Sequence, residues 1–439
     1  MSKPLHINEI SLGRASLILT AMIFLSRLAG FGRTQMTSIF YGTTPQAEAF
    51  NAAFAIPEVM SIVIAGGALA TGFVPTFSAF LAQGEHDKAR HTFASLLSIL
   101  FVGAGVLTLA LIALTWTPLL QPIADRTGAP DLYFANLRLL LIGQFFFILG
   151  GVFTGAFNSL KYFWLPALQP VFFNLGIIAL GLFGGLTGRG ITWQSYGAIL
   201  GAFIGSLALQ IPFARRAGLS LRPTFDPKDE GVRKVLAALV PVFFGLASGR
   251  ILSLSLPLLL APDVSAVTNA SRLAILPLEL LASGSAIAIF PTLSNLAARG
   301  ELGEVKSQLF ALLMRVTKRL CAASLALFIV AFPLVRLLFQ HGKFSALDAN
   351  LTSKVLMIIA LSLPALGAQQ LLARGFFALG DNKTPVVAGL GAMAIFAVLA
   401  MLSSALHAGT LGVVSASVVA IWILAALLWR ELGKKLSHL

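Results

Sequence analysis

Apolar runs of membrane-spanning length follow one another along almost the whole chain, and this limits the fold before any motif is considered. A helix that crosses a bilayer needs about 20 mostly apolar residues. Runs of that kind cover residues 11–39, 48–80, 90–114, 132–158, 165–187, 193–214, 232–260, 266–298, 307–333, 351–379, 384–405 and 410–430. In hydrocarbon every backbone N–H and C=O must be satisfied within the protein, so such runs fold as helices. The pattern predicts an all-α integral membrane protein with about 12 transmembrane helices. Only 11% of the 439 residues are charged, against roughly 25% in soluble domains. That excludes a soluble enzyme, and the apolar content excludes disorder. The formal charge of +14 does not point to nucleic acid, because the basic residues alternate with spans rather than forming a groove-lining stripe. The first run is flanked by Arg14 and Arg27 and lacks a small-residue cleavage site, so it is expected to be retained as a span. The single cysteine, Cys321, lies in an apolar run and leaves no internal disulfide.

Lysine and arginine set the expected orientation. With the N-terminus inside, 20 of the 31 basic residues fall in inside segments, six outside and five within spans. This bias predicts cytoplasmic termini at both ends. The longest polar interruption runs from Arg215 to Lys234. It divides the chain into an N-terminal six-helix lobe (1–216), a basic cytoplasmic linker (217–234) and a C-terminal six-helix lobe (235–439). The linker enforces topology, and its basic cluster is suited to anionic headgroups.

The lobes repeat each other. Pro75-Thr-Phe-Ser-Ala-Phe-Leu-Ala-Gln-Gly-Glu85 returns 216 residues later as Pro291-Thr-Leu-Ser-Asn-Leu-Ala-Ala-Arg-Gly-Glu301. Gly32-Arg33 returns as Gly249-Arg250, and Pro170-Val171 as Pro385-Val386. Three matches at nearly one offset indicate duplication. Six spans per lobe give both lobes the same orientation, related by an axis along the membrane normal. Transporters built this way hold substrate in a central cavity between lobes.

Charges inside the spans mark the candidate site. They are Arg27, Arg33, Arg250, Arg272 and Arg374, with Glu48, Glu58 and Glu279. A central arginine costs roughly 2.5–3.5 kcal/mol on insertion scales, so such groups face a wet cavity or a partner. Five cations against three anions favour an anionic ligand. The planar guanidinium fork bonds two phosphate oxygens at once and stays charged. Arg272 and Glu279 are seven residues apart and share a helix face. Gly30, Gly32, Gly66 and Gly67 are candidate hinges. No histidine or cysteine spacing suggests a metal site, no nucleophile motif or phosphate-cradling loop appears, and no cofactor is expected. The reading is a transporter and not an enzyme.

These residues resemble a known family. Ser26-Arg27-Leu28-Ala29-Gly30-Phe31-Gly32-Arg33, then Glu48-Ala49-Phe50 and Phe73-Val74-Pro75, resemble the opening of the MurJ (MviN) lipid II flippases. Ser271-Arg272-Leu273 with Leu276-Pro277 and Pro291 resembles their eighth span. Leu338-Phe339-Gln340-His341-Gly342-Lys343-Phe344, Arg374-Gly375-Phe376-Phe377-Ala378 and Asn382-Lys383-Thr384-Pro385 resemble their later segments. The resemblance runs in order from about residue 26 to 390. It implies the fold of the multidrug/oligosaccharidyl-lipid/polysaccharide (MOP) exporters, MATE transporters among them. It also implies movement of lipid II from the inner to the outer leaflet of the bacterial cytoplasmic membrane by alternating access, in peptidoglycan synthesis. The implied partners are undecaprenyl-pyrophosphate-linked disaccharide-pentapeptide, membrane lipids and other cell-wall synthesis proteins. In the family, cavity arginines contact the pyrophosphate, and Arg27, Arg33 and Arg272 stand at those motif positions. Glu48 stands where the family has Asp.

The chain also departs from the family. Ser61 and Ile62 replace a pair of arginines, and Gly66 replaces a glutamate. Thr34, Ser271 and Ile275 replace acids, as does Leu256 in span seven. Typical members have fourteen spans against the twelve expected here. Two further readings follow from the same residues: a MOP-superfamily exporter of another polyprenyl-linked sugar or small molecule, and a non-transporting membrane scaffold.

Overall fold

The computed structural model describes residues 5–6, 12–57, 73–237, 263–381 and 383–437. Every regular element among them is helical. The chain divides into two units, Met1–Val240 and Pro241–Leu439. The first carries α1 (Leu12–Tyr41), α2 (Pro45–Ala53), α3 (Val74–Ala82), α4 (His86–Leu114), α5 (Gln121–Arg126), α6 (Pro130–Ser159), α7 (Trp164–Ala167), α8 (Gln169–Leu186), α9 (Thr192–Phe203) and α10 (Gln210–Arg216). The second carries α11 (Val264–Leu278), α12 (Gly284–Ala298), α13 (Leu302–Phe339), α14 (Ala346–Ala360), α15 (Leu363–Ala378), α16 (Lys383–Ala405) and α17 (Gly409–Ser437). Among the described residues, eight helices are long and apolar enough to cross a membrane, or nine if the bent pair α14–α15 is one span. The helix α1 covers the first expected span. The span expected over 48–80 falls in part on residues 58–72, and that over 232–260 largely on 238–262, outside the description. The expected twelve therefore remains an expectation.

The duplication is written in the backbone of each unit. After α3 the chain turns through Gly84 at φ +72°, and after α12 through Gly300 at φ +75°. In the first turn the Glu85 N–H donates to the Phe80 carbonyl (2.9 Å) and the Gly84 N–H to Leu81 (3.2 Å). In the second, Glu301 donates to Leu296 (3.0 Å) and Gly300 to Ala297 (3.0 Å). Both are Schellman ends, which satisfy two orphan carbonyls and place a left-handed residue after the helix. A second pair closes α6 and α15. Tyr162 donates to Phe157 (2.8 Å) around Lys161 at φ +64°, and Asp381 donates to Phe376 (2.9 Å) around Gly380 at φ +73°. Phe157 and Phe376 are both fully buried. This turn sets a register in which Pro385 pairs with Pro166, one helical turn before the Pro170 that the sequence pattern matched.

Inside lipid, helices gain little from the hydrophobic effect on meeting each other, so close approach and hydrogen bonds hold them together. The helices α8 and α9 meet backbone to backbone through Gly176, Gly197 and Gly201. A Cβ on Gly197 would collide with the Gly176 carbonyl, and one on Gly201 with that of Phe172. Toward the basic end of the first unit, Phe73, Phe77, Phe93, Phe153 and Phe157 form one buried cluster with Leu96 and Leu165.

Breaks in the helices are satisfied by side chains. Pro364 has no N–H, so the Ala360 carbonyl loses its helical partner. The Ser324 hydroxyl of α13 donates to it at 2.7 Å. Next to it, Ser362 Oγ donates to Ile359 (2.7 Å) and Trp422 Nε1 of α17 to Leu361 (3.0 Å). Two neighbouring helices, α13 and α17, thus hold the 41° bend between α14 and α15. In the first unit Ile204–Ala208 forms a π turn, and Gln210 Nε2 donates to the Gly205 carbonyl within it at 2.9 Å.

One end of the second unit is tied by Asp381. Its carboxylate accepts from the N–H groups of Lys383 and Thr384 (3.0 Å each), from the Thr384 hydroxyl (2.6 Å) and from the Lys435 ammonium. Burial pushes this carboxyl upward, but the Lys435 and Thr384 hydrogen bonds outweigh that and hold it at about 2.

Two outcomes are expected. Gly197→Ala should lower stability in detergent by about 1–3 kcal/mol through overpacking. Gly103→Ala, where a Cβ meets nothing within 4 Å, should leave the thermal midpoint unchanged. Asp381→Asn should cost about 1–3 kcal/mol at neutral pH. The folded value lies below the ordinary 3.8, so the wild-type advantage is complete above about 4 and lost as pH falls toward 2. Thermal midpoints of the two proteins should therefore converge over that window.

Candidate functional site

The six described charges of the candidate site fall into different environments within their own units. Two stand on α1. Between Ala21 and Leu28 this helix is largely uncovered, with Phe24, Leu25, Arg27 and Leu28 exposed. From Ala29 onward it sinks into the unit against α8. Arg27 is therefore accessible. Arg33, six residues on, is only 8% exposed. Its guanidinium lies over the Phe54 ring (5.2 Å to the centroid) and the Phe173 ring (6.0 Å). Phe54 is set edge-on to Phe50 at 5.0 Å and Phe173 edge-on to Phe147 at 4.8 Å. Arg33 thus occupies an aromatic seat assembled from α1, the end of α2, α6 and α8. A cation over such faces gains roughly 0.5–2 kcal/mol, most when desolvated.

Glu48 sits in the first turn of α2, where the helix dipole favours a carboxylate. It is buried beside Phe50, whose cluster includes Tyr41, Ala47 and Ile191. Arg33 and Glu48 are both sealed parts of the first unit. Thr34, at a position where an acid was expected from the resemblance, donates to the Gly30 carbonyl at 3.1 Å. Thr37 donates to the Arg33 carbonyl (3.0 Å) and to Gln194 Oε1 (2.9 Å), which fixes α1 to α9.

The proposed hinge glycines on α1 lie within a continuous helix. A Cβ on Gly30 would meet the Asn174 side chain at 3.7 Å, and one on Gly32 would meet Ile178 at 3.7 Å, both ordinary contacts. Gly66, Gly67, Glu58 and Arg250 lie outside the described residues.

In the second unit α11 shows two faces. Ala266, Ala270, Leu273, Ala274 and Leu278 are buried, and α14 is its main neighbour. Thr268, Arg272, Leu276 and Glu279 recur at three- and four-residue spacing and are half-buried or exposed. Arg272 and Glu279 therefore share the less covered face, as their spacing predicted. Pro277 interrupts the α11 hydrogen-bond ladder, and a π turn, Glu279–Ser283, follows at once. Such turns recur at functional sites. Arg374 of α15 lies over the Phe290 ring of α12 at 5.3 Å, half-buried like Arg272. Sequence reading missed all three aromatic partners, because nothing in their spacing marks them.

The arrangement grades the arginines by burial. Arg27 is exposed, and Arg272 and Arg374 are half-buried. Arg33 is placed to hold α1, α2 and α8 together. Arg33→Ala should lower stability by about 1–3 kcal/mol, since it leaves a desolvated seat empty. Arg27→Ala should change it by less than about 0.5 kcal/mol. Thermal melting of the two variants checks the distinction, and equal losses would contradict it.

Comparison with known proteins now bears on what the site belongs to. The family model described as Lipid II flippase MurJ matches residues 36–439. The Lipid II flippase MurJ of Burkholderia cenocepacia is 28% identical over 399 residues, covering 88% of this chain and 77% of its own. The Probable lipid II flippase MurJ of Vibrio cholerae is 27% identical over 441 residues, covering 95% and 82%. Among solved structures, lipid II flippase MurJ in an inward closed conformation superposes with TM-score 0.77 at 22% identity, over 95% of this chain and 87% of that one. A MATE family multidrug transporter of the MOP superfamily, facing inward, gives TM-score 0.74 at 16% identity over 96% and 98%. Those two likenesses are of fold.

Proposed function

This chain belongs to the lipid II flippase MurJ family, and from that premise we propose that it moves lipid II from the inner to the outer leaflet of the bacterial cytoplasmic membrane. It is a multi-pass membrane protein of a transporter family and not an enzyme. The single observation that carries the reading is the family match, which spans both units from residue 36 to the last residue. The substrate is an undecaprenyl pyrophosphate bearing a disaccharide-pentapeptide. Its pyrophosphate needs cations that remain charged away from water, and arginine meets that need with two donors per oxygen pair.

Residue roles follow from accessibility. Arg27 and Arg272 take the pyrophosphate, one from each unit. Arg250 and Glu58, with Glu279 and Arg374, complete the charged lining. Arg33 and Glu48 shape the first unit behind Arg27, so that α1 from Arg33 onward moves with α2 and α8 as one body. The two units, read as six-helix lobes of 1–216 and 235–439 joined by 217–234, alternate access about the repeat axis. Gly30, Gly32, Gly66 and Gly67 absorb the bending. Both termini face the cytoplasm, in keeping with the basic residues. An inside-negative potential then favours return of the positive cavity inward, since one charge is worth about 2.3 kcal/mol per 100 mV.

Native mass spectrometry of the purified protein with lipid II, undecaprenyl phosphate and an anionic phospholipid tests this reading. Selective retention of lipid II is expected, reduced at least tenfold, about 1.4 kcal/mol, in Arg27→Ala plus Arg272→Ala. Equal retention of all three lipids by the wild type would overturn it.

A further inference from the structure

The polar segment after α10 is pinned along α4 and pushes one aromatic ring outward. Arg90 Nε donates to the Gly218 carbonyl at 2.8 Å. The Thr224 N–H donates to Ser98 Oγ at 3.0 Å. Ser98 is eight residues beyond Arg90, about 12 Å further along the helix. The chain then returns: Asp226 pairs with His91 at 3.0 Å, and Asp229 accepts from Thr92 at 3.0 Å. Leu219 and Leu221 pack inward on the phenylalanine cluster. Phe225, at the deepest point of the loop, is instead 66% exposed. At this depth α4 begins to expose its own apolar side chains, with Phe101 57% and Val102 52% exposed. The ring therefore stands where the helix passes from polar to apolar surroundings.

Charge on the loop is not balanced locally. Asp226 and Asp229 are engaged by His91 and Thr92, and Glu230 by Lys234 at 2.6 Å. Arg215, Arg222, Lys228 and Arg233 are exposed and carry no ion pair among the described residues. Arg216 lies over the Phe213 ring at 5.5 Å, and Phe213 stacks edge-on with Trp164 at 5.2 Å. Aromatic rings beside basic chains are the pattern of a membrane–water boundary.

We propose that residues 218–229 form a bilayer anchor, with Phe225 inserted at the headgroup–acyl boundary and Arg222 and Lys228 bound to anionic phospholipid headgroups. The proposal rests on reading this basic face as the inner-leaflet side. Basic side chains are drawn electrostatically to such an anionic surface. The anchor fixes the depth of α4 and of the segment that leaves the first unit. An exposed phenylalanine in a mobile loop would fold back on the protein. Here Ser98, His91 and Thr92 hold the loop so that it cannot.

Spin labelling in nanodiscs tests this. The single cysteine, Cys321, is exposed, so Cys321→Ser supplies a cysteine-free background, checked by thermal melting. Labels at Phe225→Cys and, separately, Lys228→Cys are compared for collision with oxygen, which partitions into lipid, and with a water-soluble nickel chelate. Oxygen should dominate at 225 and the chelate at 228. The oxygen excess at 225 should grow when phosphatidylglycerol is added to phosphatidylcholine, and that growth should vanish in Arg222→Gln plus Lys228→Gln. Chelate dominance at both positions would overturn the anchor and leave Phe225 to a water-borne protein partner. Lipid-like values at 225 that do not respond to phosphatidylglycerol would overturn the anionic headgroup assignment. Lipid II retention by the labelled protein, measured in parallel, separates failure of the anchor from failure of the flippase reading.

Discussion

Hydrogen-bonding groups of the backbone have no water to turn to inside a bilayer, and each one left alone there costs several kcal/mol. Much else in this chain depends on that requirement. It makes the apolar runs helices. It also decides what happens where a helix is broken. Pro364 frees the Ala360 carbonyl, and Ser324 of a different helix takes it at 2.7 Å. Trp422, from a third helix, takes the Leu361 carbonyl. A bend inside a span is therefore a joint between helices as well as a feature of one. The π turn at Ile204–Ala208 obeys the same rule with Gln210.

Side-chain charges face the same medium under looser terms, because their surroundings can be built in more than one way. Arg27 and Arg33 lie about 9 Å apart along one helix, yet one is exposed and the other is enclosed by Phe54 and Phe173. The enclosed arginine draws its stabilisation from ring faces and from its burial in the unit. The exposed one keeps its guanidinium at the surface of the unit. A family motif that contains both thus joins a buried residue to an exposed one.

Much of the fold was legible in the sequence. Spans 90–114, 132–158, 165–187 and 193–214 fall on α4, α6, α7–α8 and α9–α10, because length and apolarity determine a helix in lipid with little help from neighbours. The Gln83-Gly84-Glu85 turn was legible as well, since Gly after a helix is local chemistry. The site was less so. The seat of Arg33 uses Phe54, 21 residues on, and Phe173, 140 residues on. With 34 phenylalanines in the chain, no pattern singles out those two. The match of Pro170 with Pro385 failed for a related reason: helices tolerate a shift of one turn, and only the left-handed residues Lys161 and Gly380 fix the register.

The two units show what a duplication keeps and what it releases. The Schellman ends at Gly84 and Gly300 agree bond for bond, and those around Lys161 and Gly380 agree although one left-handed residue is not glycine. Charges do not all agree in this way. At the same 216-residue offset the position matching Arg272 is Ile56, so that charge stands in one unit only. A helix end that must pass through a left-handed residue is constrained in every conformation the protein visits. A ligand-facing charge is constrained only where the substrate passes. Backbone ends therefore stay paired across the repeats where a charge such as Arg272 does not. Each charge must then be assigned from its own surroundings in its own unit rather than from its counterpart in the other.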